Sequence, residues 1–174
     1  MQFRFSKAEL RKAGKFLAGF VAAFFALNFL ARLVPLEAIE GLVAGAALAG
    51  LNFFGVNGVL LAGEPVLLQV EGLALPVAIS YLCTGLLETI VLVSAVLASF
   101  GIPWRERVKG AGLGILISFI FNIIRIDGTI LMIKAQGLVL GELTHDLFFR
   151  AFLFLSIAGY YAWWFRRSTR QRTG

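Results

Sequence analysis

Three side chains able to do covalent chemistry are spread along the chain: the single cysteine, Cys83, the single histidine, His145, and Arg125 between them. A thiolate is a nucleophile, an imidazole carries protons near neutral pH, and a guanidinium keeps its charge throughout. Together they suffice for acyl transfer: the thiol attacks a carbonyl, the guanidinium stabilises the oxyanion, and the imidazole protonates the leaving amine. Each also has a structural reading. A free cysteine packs as a small hydrophobe, an arginine near a helix end snorkels to lipid headgroups, and a lone histidine serves at a helix start, where Thr144 is an alternative N-cap. Context favours chemistry, because all three fall at the ends of apolar segments, where ionisable groups are costly and usually functional. Thr84 and Gly85 follow Cys83 and can expose backbone N–H groups at a helix start. Such donors, with the helix dipole, favour a thiolate and can hold an oxyanion.

The elements that must position these groups are apolar. Of 174 residues, 59% are hydrophobic, which excludes a water-soluble domain and leaves room for one bundle. The expected fold is an all-α polytopic membrane protein with about four transmembrane helices, an interfacial or re-entrant helix and a small extracytoplasmic β-hairpin. The whole chain, 1–174, forms one integral membrane domain. The spans are placed at 16–34, 81–100, 110–126 and 146–165, since a crossing takes about 20 apolar residues. The first is read as a retained span rather than a cleaved signal. Pro35 closes it, Gly101 and Pro103 end the second, and Arg105, Arg107 and Lys109 form a basic loop before the third. The last runs into Trp163, Trp164 and an arginine-rich tail, an interfacial anchor.

The insert at 36–80 is read as extracytoplasmic or interfacial. Its first part, 36–54, is a helix lying in or dipping into the outer leaflet, with Glu37 and Glu40 near water. A true crossing, paired with a second near 72–80, is the alternative. Its second part alternates short β-rich runs (Val59–Leu61, Val66–Val70, Leu73–Val77) with Gly63-Glu64-Pro65 and Glu71-Gly72 turns. The positive-inside rule then orients the chain. Of the 16 Lys and Arg residues, all but Arg32, Arg125, Lys134 and Arg150 fall on the cytoplasmic side. Both termini are cytoplasmic in a multi-pass cell-membrane protein, and Cys83, Arg125 and His145 meet at the extracytoplasmic face.

Supporting roles fall to Thr84, Gly85, Glu88, Asn122, Asp146 and Arg150. Asn122 precedes Arg125 by three residues and shares its helix face, so it can orient Arg125 or bind substrate backbone. Glu88 pairs with Arg150 or Arg125, and Asp146 with Arg150 at i,i+4. Asp127, Lys134, Glu37, Glu40 and Glu142 are read as solvated. Small residues along 41–50 and 110–114 offer a face on which a substrate helix can pack closely. No metal site is expected from one histidine and one cysteine. No phosphate-binding or dinucleotide motif implies a cofactor, and the basic clusters read as topology signals rather than a nucleic-acid surface.

The order Cys83-Thr84-Gly85, then Asn122-Ile123-Ile124-Arg125, then His145, after the glycine-punctuated Gly55-Val56-Asn57-Gly58, resembles the exosortase/archaeosortase family of membrane transpeptidases. The pattern runs over about residues 40–165, and the chain looks like a compact member. The resemblance implies Cys83 as nucleophile, Arg125 as transition-state stabiliser and His145 as general acid/base. It also implies partners: exported proteins bearing a C-terminal motif, a transmembrane helix and a basic tail, cleaved outside the membrane through a thioester. The product would pass to an acceptor such as a lipid or glycan. Two readings compete with it. One is a non-enzymatic small transporter subunit or assembly factor, in which Cys83 is inert. The other is a membrane-surface thiol hydrolase or acyltransferase acting on lipid-linked substrates.

Overall fold

The computed structural model describes residues 6–137 and 150–170. Helix α1 spans Lys7–Ala31 and α2 Leu36–Phe53. A three-stranded antiparallel meander follows: β1 (Gly58–Leu61), β2 (Val66–Val70) and β3 (Val77–Ile79). A 3-10 turn at Tyr81–Cys83 leads into α3 (Leu86–Leu97). Helix α4 runs over Trp104–Gln136 and α5 over Arg150–Arg170.

Local chemistry explains the boundaries. Ser6 caps α1 with a reciprocal capping box: its hydroxyl accepts from the Glu9 N–H, and the Glu9 carboxylate accepts from the Ser6 N–H. The helix therefore starts nine residues before the expected span at 16–34, because Lys, Ala, Glu, Leu and Arg all extend a helix well. Pro35 stands at the N-cap of α2 and Pro103 at that of α4. The basic residues expected in a loop, Arg105, Arg107 and Lys109, lie inside the first turns of α4. Arg107 is fixed there. Its guanidinium donates to the Leu97 carbonyl at the end of α3 and stacks on Phe100 and Trp104.

The expected span at 81–100 is instead a 12-residue helix, because Gly85 adopts a left-handed conformation (φ 67°) and separates the 3-10 turn from α3. The expected span at 110–126 is the middle of a 33-residue helix; its glycines are not enough to break it. Of the expected span at 146–165, residues 146–149 lie outside the described residues, and α5 continues to Arg170. The expected hairpin is a three-stranded sheet whose last strand is Val77–Ile79 rather than Leu73–Val77, with Gly58 opposite Val70 and Val66 opposite Ile79.

Among the described residues three helices are long and apolar enough to cross a membrane: α1, α2 and α4. Helix α1 buries none of its residues and presents Leu17, Val21, Phe25 and Phe29 outward. Such an apolar helix would be untenable in water and is at home in lipid. This marks a membrane protein.

Two cores are stacked along α4. One joins Val43, Ala47 and Leu51 of α2, Leu68 and Val70 of β2, Ile79 of β3, and Ile126 and Ile130 near the end of α4. The other joins Leu92 and Val96 of α3, Ala111 near the start of α4, and Tyr160 and Trp164 of α5. The second core is closed by glycine. A side chain at Gly110 would collide with the Trp164 indole, and one at Gly114 would press on Leu92 and Tyr160. Tyr160 also donates its hydroxyl to the Gly110 carbonyl at 2.6 Å. Gly110 and Gly114, expected to receive a substrate helix, are thus occupied by the protein's own α5 and α3; Gly112 faces open space.

Candidate functional site

The site is built where the two cores meet. Cys83 ends the 3-10 turn, and its backbone carbonyl points at α4. Asn122 Nδ2 donates to that carbonyl at 3.0 Å and Arg125 Nη2 donates to it at 3.1 Å. Residues separated by about 40 positions in sequence are thereby locked together by two hydrogen bonds, one of them charge-assisted. Asn122 and Arg125 are 1% and 4% exposed, so this clamp is shielded from water. Arg125 lies well inside α4, not at a helix end, and the headgroup-snorkelling alternative does not apply.

Gly85 makes the approach possible. Its left-handed backbone is unfavourable for a residue with a side chain, and a Cβ there would stand 2.8 Å from Asn122 Cγ. Thr84 secures the turn on either side. Its hydroxyl donates to the Tyr81 carbonyl at 2.7 Å and accepts from the Leu86 N–H at 3.3 Å. Thr84 therefore satisfies a helix-start donor rather than leaving it exposed as expected. Glu88 sits in the first turn of α3, where its negative charge complements the helix dipole. Among the described residues no ion pair joins it to Arg125; the side chain of Arg150, its other expected partner, lies outside them.

The thiol itself is half-buried. Its sulfur lies 3.7 Å from Ser80 Oγ and 4.0 Å from the Ala78 carbonyl oxygen, and it packs against the α2–sheet core. Ser80 was not singled out by sequence, although a serine three residues before a cysteine shares its turn. A cavity of about 330 Å3 opens beside the turn, between the end of α1 and the start of α3, lined by Asn28, Arg32, Tyr81 and Leu86 among others. His145 and Asp146 lie outside the described residues, as do Thr144 and Glu142.

Two carboxylates expected to be solvated are buried. Glu40 is 6% exposed, and its Oε2 accepts from the Val66 N–H at 3.3 Å, tying α2 to the sheet. Asp127 is 5% exposed and faces Gly50 of α2, whose missing side chain makes room for it. Glu37 and Lys134 are exposed as expected. Among the described residues no group of His, Cys, Asp or Glu is arranged to hold a metal ion. Compared with known protein families, curated proteins and solved structures, the chain matches none.

Proposed function

We propose that the protein is a membrane-embedded cysteine transpeptidase or protease of the exosortase/archaeosortase kind, acting on exported proteins at the extracytoplasmic face. One observation carries this reading: the double hydrogen bond from Asn122 and Arg125 to the Cys83 carbonyl. It joins two of the sequence motifs on which the resemblance rests, and it does so just before the start of α3.

In this mechanism Cys83 Sγ gives its proton to His145 and attacks the carbonyl carbon of the scissile peptide. Arg125, held against the Cys83 backbone, would bring its fixed charge to oppose the growing negative charge on oxygen. The C–N bond breaks, and the proton on His145 passes to the leaving amine. A thioester on Cys83 remains. Water, an amine or a hydroxyl then attacks it, surrenders a proton to His145, and regenerates the thiol. The substrate segment reaches the turn through the cavity beside Tyr81 and Leu86. Arg125 acts here as both a positioning residue for the Cys83 backbone and an electrostatic one for the reaction.

The test is co-expression with an exported protein carrying a C-terminal motif, helix and basic tail, with its size followed over time. Wild type is expected to shorten it and to yield a thioester on Cys83 that hydroxylamine releases. Cys83→Ala, verified in the membrane at wild-type abundance, is expected to abolish both. Continued processing by Cys83→Ala would show that Cys83 is packing and would leave the non-enzymatic reading in place. An adduct of lipid rather than peptide mass would point to the lipid-linked substrate instead.

A further inference from the structure

Helix α5 carries a cleft of about 750 Å3 lined by Gly159, Ala162, Trp163, Arg166, Arg167 and Arg170. These positions recur at three- and four-residue steps and so form one strip along the helix. We propose that the cleft is a binding site for an anionic phospholipid. Its phosphate is held by the guanidiniums of Arg166, Arg167 and Arg170, and an acyl chain lies over Gly159 and Ala162.

The strip changes character along its length in the way a phospholipid does. Its first half is apolar and shallow-walled: a side chain at Gly159 meets nothing within 4 Å. Trp163 follows, 47% exposed, an amphipathic ring of the type that sits at headgroup level. Three arginines come next within five residues, and arginine presents paired donors that match phosphate oxygens. Arg167 already lies over the Trp163 ring, 5.5 Å from its centroid, which holds its guanidinium at the mouth of the cleft. Among the described residues the one ion pair is Lys109–Glu106, so no described carboxylate neutralises Arg166 or Arg167. The opposite side of α5 is already committed, with Trp164 against Gly110 and Tyr160 bonded to the Gly110 carbonyl. The strip therefore faces outward from the bundle, where lipid is the neighbour. Charge alone would suit any polyanion; the contiguous apolar half selects a lipid.

The full chain is reconstituted in nanodiscs of equal phosphatidylglycerol and phosphatidylcholine, and the lipid retained on gentle extraction is measured by mass spectrometry. Wild type is expected to retain phosphatidylglycerol about fivefold or more over phosphatidylcholine, the scale of one or more basic residues at an anionic surface. Arg166→Gln, Arg167→Gln and Arg170→Gln combined are expected to return the ratio to one. Gly159→Leu, which keeps every charge and fills the apolar half, is expected to reduce it at least twofold. Arg105→Gln, on the neighbouring helix outside the cleft, is expected to leave it unchanged. Equal retention of both lipids by wild type overturns the proposal. So does a Gly159→Leu chain as selective as wild type, or an Arg105→Gln loss as large as that of the triple variant, since either would reduce the effect to diffuse charge. None of these outcomes depends on Cys83, so the result stands apart from the proposed activity.

Discussion

At Gly85 the backbone and a side chain make separate demands on one residue. The backbone needs a left-handed conformation, and Asn122 needs the space a Cβ would take. Gly85→Ala is therefore expected to cost about 1–2 kcal/mol for the conformation and a further amount of order 1–3 kcal/mol for the overpacking. Only the second part depends on Asn122. Removing that side chain with Asn122→Ala sacrifices its hydrogen bond to Cys83 but relieves the collision. The double variant should consequently be more stable than the sum of the two single losses predicts, by roughly 0.5–3 kcal/mol of coupling. Thermal unfolding in detergent of the wild type, both single variants and the double variant checks this. Strict additivity would mean that Asn122 does not hold the turn in the way described. That Gly85 stands beside Cys83 at a helix start was legible in the sequence; its left-handed backbone and its contact with Asn122 were not. The burial of Asp127 was not. Its partner is a glycine 77 positions away on α2, and nothing local to Ile126-Asp127-Gly128 distinguishes a buried carboxylate from a solvated one.

At the scale of elements, the seam between α4 and α5 rests on contacts that only glycine permits. Gly110 lies under Trp164 and Gly114 under Leu92 and Tyr160, whereas Gly112, on the other face, touches nothing. Gly110→Ala is expected to destabilise the protein by about 1–3 kcal/mol through overpacking, and to shift the fluorescence of the tryptophans as Trp164 is displaced. Gly112→Ala is expected to be neutral or stabilising by up to about 1 kcal/mol, because alanine is the better helix former. A melt in which both substitutions behave alike would refute this account of the seam. The same triplet shows where sequence reasoning stopped. A Gly-x-Gly-x-Gly pattern correctly announced close helix packing, but two of the three glycines receive the protein's own helices rather than a foreign one. Composition does not say which helix fills a groove. Span ends were misplaced for a related reason. Charged residues such as Arg105 and Lys109 interrupt hydropathy without interrupting a helix, while the uncharged Gly85 interrupts a helix without interrupting hydropathy.

For the whole molecule, α4 serves as the ruler. Asn122 stands 18 residues beyond Trp104, about 27 Å at 1.5 Å per residue, close to the roughly 30 Å thickness of a hydrocarbon core. If the aromatic and basic start of α4 marks one boundary, the Cys83 clamp falls at the other. The part of α4 past Arg125, on which α2 and the sheet pack, would then stand beyond the bilayer, and α2, although long and apolar enough to cross, would lie outside it. Such an arrangement would also keep the sheet clear of hydrocarbon, which cannot satisfy the unpaired edge groups of an open three-stranded sheet. The arginine tail of α5 lies at the start of α4 through Trp164 and Gly110, so both basic clusters share the face opposite the sheet. The single cysteine makes this measurable. In a Cys83→Ala background, Ala62→Cys at the exposed β1–β2 turn is expected to react with a membrane-impermeant maleimide on intact cells. Arg170→Cys is expected to react only after the membrane is opened. Labelling of both from the same side would place the sheet and the arginine tail on one face. The α2–sheet unit could not then cap the extracytoplasmic end of the bundle, and Cys83 would open to the wrong compartment for a substrate arriving by export.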